Sequence, residues 1–301
     1  MARARAALGE GFRAGLHSSL PRIPGEKKEA GKGAKLKRRT WSRVGWGLLA
    51  AALCLLALDG FWIEPNSVQV THWHIAAPVS PPLKIAQLSD MHVVHFGERE
   101  RKVVAILKRE RPDLVVITGD SVGMGVHYDR VHQVLSAIAS THPPLGVWVV
   151  RGNWENWHPV PHERLFYRTA GVHFLLNQGA LVRPGVWLAG LDDPWSGHAD
   201  LDAALRGAPP GAYTIVLFHS PEFFDETAGR YDLGLAGHTH GGQLRLPFIR
   251  PFWLPGGSGR FLAGWYEERG SRMYVSRGIG WSHVPIRLNC PPEIPIITIG
   301  H

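Results

Sequence analysis

A chain of 301 residues with 45% hydrophobic and 19% charged residues has a globular rather than disordered composition, and length enough to bury a core without cross-links. Its net charge of +8 is lopsided: residues 1–43 hold 12 Lys/Arg against 3 Glu, and the remainder 21 Lys/Arg against 22 Asp/Glu. The body is therefore close to neutral, which removes the electrostatic case for a nucleic-acid partner, and two cysteines, Cys54 and Cys290, exclude a disulfide scaffold.

In chain order, residues 1–43 read as a basic, disordered tail rich in Gly, Ala and Lys. Residues 44–63, VGWGLLAAALCLLALDGFWI, form an apolar run broken only by Asp59, and about 20 apolar residues span a bilayer. A buried core helix passes the same length test. Lys27, Lys28, Lys32, Lys35, Lys37, Arg38, Arg39 and Arg43 all precede the run, and that asymmetry favours a membrane anchor with the tail in the cytoplasm. Residues 64–301 are then expected outside the cytoplasm; a monotopic anchor facing the cytoplasm is the alternative. Residues 37–43, KRRTWSR, resemble a twin-arginine export signal, but no A-x-A cleavage site follows clearly, so a retained anchor is expected.

Beyond the run, a strand is expected over 68–75, followed by a Pro-rich connector. Strands over 83–88, 114–118 and 147–151 then alternate with helices over 98–109, 129–139 and 161–170. Later strands are expected at 186–191, 213–218, 233–236, 273–275 and 296–299. Strand, loop and helix repeated three times imply an α/β fold with a parallel core sheet. Chemistry in such folds lies just beyond the carboxyl ends of the strands.

Five strand ends carry oxygen and nitrogen donors: Asp90-Met91-His92, Gly119-Asp120, Gly152-Asn153, His219, and Gly237-His238-Thr239-His240. Each alone is an ordinary polar turn. Together they form a donor set suited to divalent metals. Two metals about 3.5–4 Å apart need a shared ligand, and Asp120, central in the set, is the natural bridge. Such a pair polarises a phosphoryl group and activates water for in-line attack.

The ordered set D-x-H, G-D, G-N, H, G-H-x-H resembles the calcineurin-like metallophosphoesterases over residues 84–240. GHTHGGQ (237–243), YVSRGIG (274–280) and NCPPEI (289–294) resemble that family's membrane-associated or exported branch, which includes UDP-2,3-diacylglucosamine hydrolase-like enzymes. The resemblance implies a four-layer sandwich, two mixed β-sheets flanked by helices, here over residues 64–301. It also implies two divalent ions, commonly Mn, Fe, Zn or Mg. One would be held by Asp90, His92 and His240, the other by Asn153, His219 and His238, with Asp120 shared. Asp120, Asn153 and His238 would also be the catalytic residues. The implied reaction is hydrolysis of a phosphodiester or pyrophosphate.

One residue departs from the pattern. The family usually has G-N-H-D or G-N-H-E, whose His stabilises the transition state and protonates the leaving group; here Trp154 follows Asn153. A lost general acid costs on the order of 10²–10⁴-fold where the leaving group needs a proton, so good leaving groups should be preferred. His158 and His95 are candidate substitute acids, although a plain loop histidine is the simpler reading of each. Trp154 is also the one feature favouring a non-catalytic metal-binding receptor.

Residues 246–265 mix Phe248, Ile249, Phe252, Trp253, Leu254 and Phe261 with Arg250 and Arg260. A packed loop covering the sheet is the plainer reading. An apolar surface near a bilayer that admits a lipid-linked phosphate is the sharper one. Arg277 is either a phosphate ligand or half of an ion pair.

Overall fold

The computed structural model describes residues 29–301; the expectations for residues 1–28 lie outside them. The chain divides after Leu53. The first unit holds the beginning of helix α1 (Glu29–Leu58), so helical backbone starts upstream of the apolar run. The segment Trp41–Asn66 has a mean hydropathy of 1.9 and is long and apolar enough to cross a membrane.

The second unit is built on two six-stranded mixed sheets. The strands are β1 (Gln69–Ile75), β2 (Leu83–Leu88), β3 (Leu114–Thr118), β4 (Val147–Val150), β5 (His173–Phe174), β6 (Gln178–Arg183), β7 (Val186–Gly190), β8 (Tyr213–Leu217), β9 (Leu233–Ala236), β10 (Gly264–Glu268), β11 (Ser271–Val275) and β12 (Glu293–Ile299). One sheet runs β1-β12-β2-β3-β4-β5 and the other β10-β11-β9-β8-β7-β6. Helices α2 (Glu98–Glu110), α3 (Tyr128–Ala139), α4 (Asn153–Trp157), α5 (Glu163–Thr169) and α6 (Leu201–Leu205) join them. The expected parallel core is present twice, as β2 to β5 and as β7, β8, β9 and β11. Antiparallel pairs β12–β2, β6–β7 and β10–β11 make both sheets mixed.

Side-chain alternation explains the layers. Leu83 and Ile85 of β2, Leu114 and Val116 of β3, and Ile297 and Ile299 of β12 share one core with Leu188, Ile215, Leu217, Leu233 and Leu235 of the other sheet. The intervening Ala86, Leu88, Val115 and Ile117 pack with Val103, Ile106 and Leu107 of α2 and Val131, Leu135 and Ile138 of α3. On the far side, Ala189, Val216, Ala236 and Met273 cover Leu201 and Ala204 of α6 and Phe224. Both faces of the central strands are thus buried. That is why they read as unbroken apolar runs, whereas the peripheral β6 and β10, with partly exposed faces, escaped the sequence reading.

After β11 the chain returns across the carboxyl edge. Ile279 N and Gly280 N donate to the carbonyls of Ser89 and Asp90, at 3.0 and 2.7 Å. The buried Arg287 guanidinium, its pKa pushed down to about 10 by burial, donates to the carbonyls of Arg277, Gly280 and Cys290 at 2.6–2.9 Å. The same segment grips residues 60–64: Arg287 N donates to Gly60 O at 2.9 Å, and Asn289 N and Cys290 N donate to the Glu64 carboxylate. Arg277 pairs with Glu293, Nε to Oε2 at 3.0 Å, so of its two readings the ion pair is the one found.

Candidate metal centre

All seven donors expected from the sequence meet at one place. They follow β2, β3, β4, β8 and β9, and each is buried at 0–3% exposure. Asp90, His92 and His240 form one triad; Asp120, His219 and His238 form a second. Within each triad the ligand atoms lie within 4.8 Å of one another. Asp120 Oδ2 lies 3.5 Å from His92 Nε2 of the first triad and 3.2 Å from His219 Nε2 of its own. Asn153 Oδ1 faces His219 Nε2 at 3.1 Å and His238 Nδ1 at 2.9 Å.

Backbone carbonyls fix which ring nitrogen faces inward. A carbonyl only accepts, so His92 Nδ1 donates to Val122 O (3.1 Å), His219 Nδ1 to Thr118 O (2.7 Å) and His238 Nε2 to Gly256 O (2.5 Å). Each opposite nitrogen then turns a lone pair to the centre, the arrangement that orients metal-binding imidazoles. In the second triad those lone pairs converge with Asn153 Oδ1 and Asp120 Oδ2, acceptors at hydrogen-bond distance with no neutral donor between them. His240 Nδ1 is buried and unpartnered, while its Nε2 faces His92 Nε2 at 3.1 Å. A dinuclear divalent centre fits this donor set.

For three of the four imidazoles the electrostatics agree. Burial pushes Asp90 up to about 6, His92 and His238 down to about 4, and His240 well down. Burial also acts upward on Asp120, but His219 beside it outweighs that and holds the carboxyl at about 2. Burial opposes the charge on His219 and Asp120 overcomes it, raising this imidazole well above its usual range. His92, His238 and His240 are thus neutral near pH 7, the form that binds metal.

The site is held in unfavourable backbone. Asp90, His92, Asp120, His238 and His240 all have positive φ, between 41° and 72°, a conformation costing about 1–2 kcal/mol per residue. Two glycines permit the crowding. A Cβ on Gly152 would collide with the Asp120 carboxylate, and one on Gly237 with Ser89 and Asp90.

Glu155 had no role assigned from sequence and holds two loops together. Its buried carboxylate accepts from the backbone N–H of Asp120, Ser121, Val122 and Gly152, at 2.7–3.0 Å. Burial, and then the Asp120 charge, raise its pKa to about 7 against the Val122 and Gly152 donors. The spacing Gly152 to Glu155, that of a capping box, was the available signal. Asp192 and Asp193 were also missed, although they follow β7 as the strand-end rule requires. Asp193 accepts from Ser220 Oγ at 2.5 Å and Asp192 from Asn156 Nδ2 at 3.0 Å, which ties the loops after β4, β7 and β8.

Trp154 walls the site. Its backbone N donates to Asp120 Oδ1 at 2.9 Å, and its ring stands 5.3 Å from that of His92. A cavity of about 190 Å³ opens here, lined by Asp120, Asn153, Trp154, His238 and His240 with Trp157, Trp195, Trp253, Ser282 and His283 among others. Neither His158 nor His95 lines it. A second, larger cavity of about 580 Å³ shares Trp253, Ser282 and His283 with it and adds Phe61, Leu244, Phe252, Val284 and Ile286. The loop reading of residues 246–265 divides accordingly. Phe261 is buried as a packed loop requires, but Phe248, Phe252 and Trp253 are exposed, at 108%, 80% and 61%.

Residues 83–242 match the calcineurin-like phosphoesterase family, and the chain belongs to that family. With its two Asp/His triads it is a metal-dependent hydrolase. It is 29% identical to the metallophosphoesterase YkuE of Bacillus subtilis over 289 residues, covering 88% of this chain and 98% of that one. It is 32% identical to a metallophosphoesterase of Aquifex aeolicus over 234 residues, 74% of this chain and 87% of the other. The phosphodiesterase YaeI of Escherichia coli is 28% identical over 271 residues, 84% and 97% of the two chains.

Proposed function

We propose that the protein is a membrane-anchored phosphodiesterase whose dinuclear centre cleaves phosphodiester or pyrophosphate bonds, with a lipid-linked compound such as UDP-2,3-diacylglucosamine as candidate substrate. Asp90, His92 and His240 would hold one ion and Asn153, His219 and His238 the other, with Asp120 available to both. Two bound divalent ions supply charge neutralisation and an acidified water. The protein's part is to fix the donors and to wall the site with Trp154. The observation that carries the hydrolytic reading is the position of Asp120 Oδ2 between the imidazoles of the two triads. The name of the E. coli relative, a phosphodiesterase, supports the bond type. The apolar cavity abutting the site supports a substrate with a hydrocarbon part.

Hydrolysis of bis(4-nitrophenyl) phosphate by the detergent-solubilised chain with added manganese, beside Asp120→Ala, tests the hydrolytic reading. Activity that survives Asp120→Ala would sink the site assignment. Comparing UDP-2,3-diacylglucosamine with its deacylated form tests the lipid part, and equal kcat/KM for both would remove it. The basic flank favours residues 64–301 outside the cytoplasm. A C-terminal alkaline phosphatase fusion active in cells would support that side and exclude a cytoplasmic nucleotide-linked substrate.

A further inference from the structure

By the family resemblance Trp154 stands at the position of the usual proton donor, yet the cavity is not without an imidazole. Besides the triad members His238 and His240, the histidine lining it is His283. This ring comes from the segment returning after β11, far along the chain from α4. It stands 6.2 Å from the Trp154 indole and 6.1 Å from that of Trp253. Ser282 Oγ lies 2.6 Å from its Nδ1. His95 lines a different cavity with Phe96 and Arg101, and His158 packs 5.5 Å from the Trp154 ring outside the cavity lining.

We infer that His283 donates the proton to the leaving group, so that the acid function has moved from α4 to the 282–284 segment; this rests on the phosphodiesterase reading above. Trp154 packs edge-on to His283. With Nδ1 engaged by Ser282, Nε2 is the nitrogen left for substrate. As the bond from phosphorus to the leaving oxygen breaks, the bonding pair stays on that oxygen and takes the Nε2 proton of the imidazolium. The neutral ring is exposed and regains its proton from solvent. The groups packed on it, Trp154, Trp253 and Ser282, carry no charge, and the titratable side chains sharing the cavity are Asp120, His238 and His240. A general acid at this place changes the expected specificity: alkyl esters become substrates alongside aryl esters.

The test compares two phosphodiesters with the same retained phosphoryl half, one releasing 4-nitrophenolate and one an alkyl alcohol, on the manganese-loaded full chain. His283→Gln is expected to slow the alkyl ester by on the order of 10²-fold or more and the aryl ester by no more than about 3-fold. The loss should fall on alkyl kcat rather than KM, with metal content and thermal midpoint unchanged. His283→Gly suits the positive φ of 59° at this position and should recover alkyl hydrolysis with added imidazole. Equal slowing of both esters, no slowing of either, or a fall in bound metal would overturn the assignment. A parent inactive on both esters would instead remove the phosphodiesterase reading itself.

Discussion

The floor and the rim of the cavity are built on opposite principles. On the floor, seven donors are buried to 3% exposure or less, three of their four rings are oriented by backbone carbonyls, and five of them sit at positive φ. On the rim, Phe248, Phe252 and Trp253 stand exposed. A donor must hold its position to a fraction of an ångström to bind a metal, so the floor spends stability on rigidity. An apolar rim needs only area and shape, because hydrophobic contact is not directional. Under the proposed function the floor holds the metals and the rim selects which molecule reaches them.

The largest expected effect breaks the floor. Asp120→Ala should reduce turnover by on the order of 10³-fold or more, since several kcal/mol of charge stabilisation convert at about 1.4 kcal/mol per decade. Elemental analysis of the purified variant should also show lost metal. Glu155→Gln comes next. It sets an amide N–H against two of four backbone donors, so stability should fall by about 1–3 kcal/mol and metal affinity by about 10–100-fold. Urea midpoints and competition with a metal-binding dye read the two effects, and an unchanged affinity would confine Glu155 to folding.

Rim changes should do the reverse. Phe252→Ser with Trp253→Ser should lower kcat/KM for a long-chain substrate by about 15- to 50-fold, as two or three buried methylenes lose about 0.8 kcal/mol each. Bis(4-nitrophenyl) phosphate turnover should stay within about 2-fold, and stability within about 1 kcal/mol, because both side chains are exposed. Parallel losses on both substrates would erase the distinction between floor and rim.

The smallest effect lies away from both. The Glu110 carboxyl is held down at about 2, first by its hydrogen bond with His72 (3.0 Å) and further by Arg109 and Lys84. A depressed folded pKa adds stability that is complete above the unfolded value of 4.5 and is lost as pH falls toward 2. Glu110→Gln should therefore be less stable than the parent at pH 7, with the gap closing between pH 4.5 and 2. A gap independent of pH would show the contribution to be packing instead.

Much of the floor was legible because its signals are local. Leu83 to Leu88 announces a doubly buried strand, and Asp90 and His92 follow it directly. Asp192 and Asp193 obeyed the same rule and went unread, although the strand expected over 186–191 ends directly beside them. The end of β4 was less legible: α4 is five residues long, too short for a periodic signal, and it hides Glu155. The rim was ambiguous because Pro, Gly and aromatics suit a packed loop and an exposed one equally. What separates Phe261 from Phe252 is whether another layer happens to cover it.

The sequence by itself determined which donors stand at strand ends and that an apolar helix precedes them, since periodicity and residue type are properties of short segments. The resemblance implied two ligand sets sharing Asp120, but only the tertiary structure decided that Asp120 Oδ2 stands between imidazoles of both triads and that His283 reaches the same cavity. Those relations depend on β12 entering beside β2 and on the second sheet stacking its carboxyl edge over the first. Contacts between residues 90 and 240, or 154 and 283, come from that packing of layers, which no window of neighbouring residues encodes.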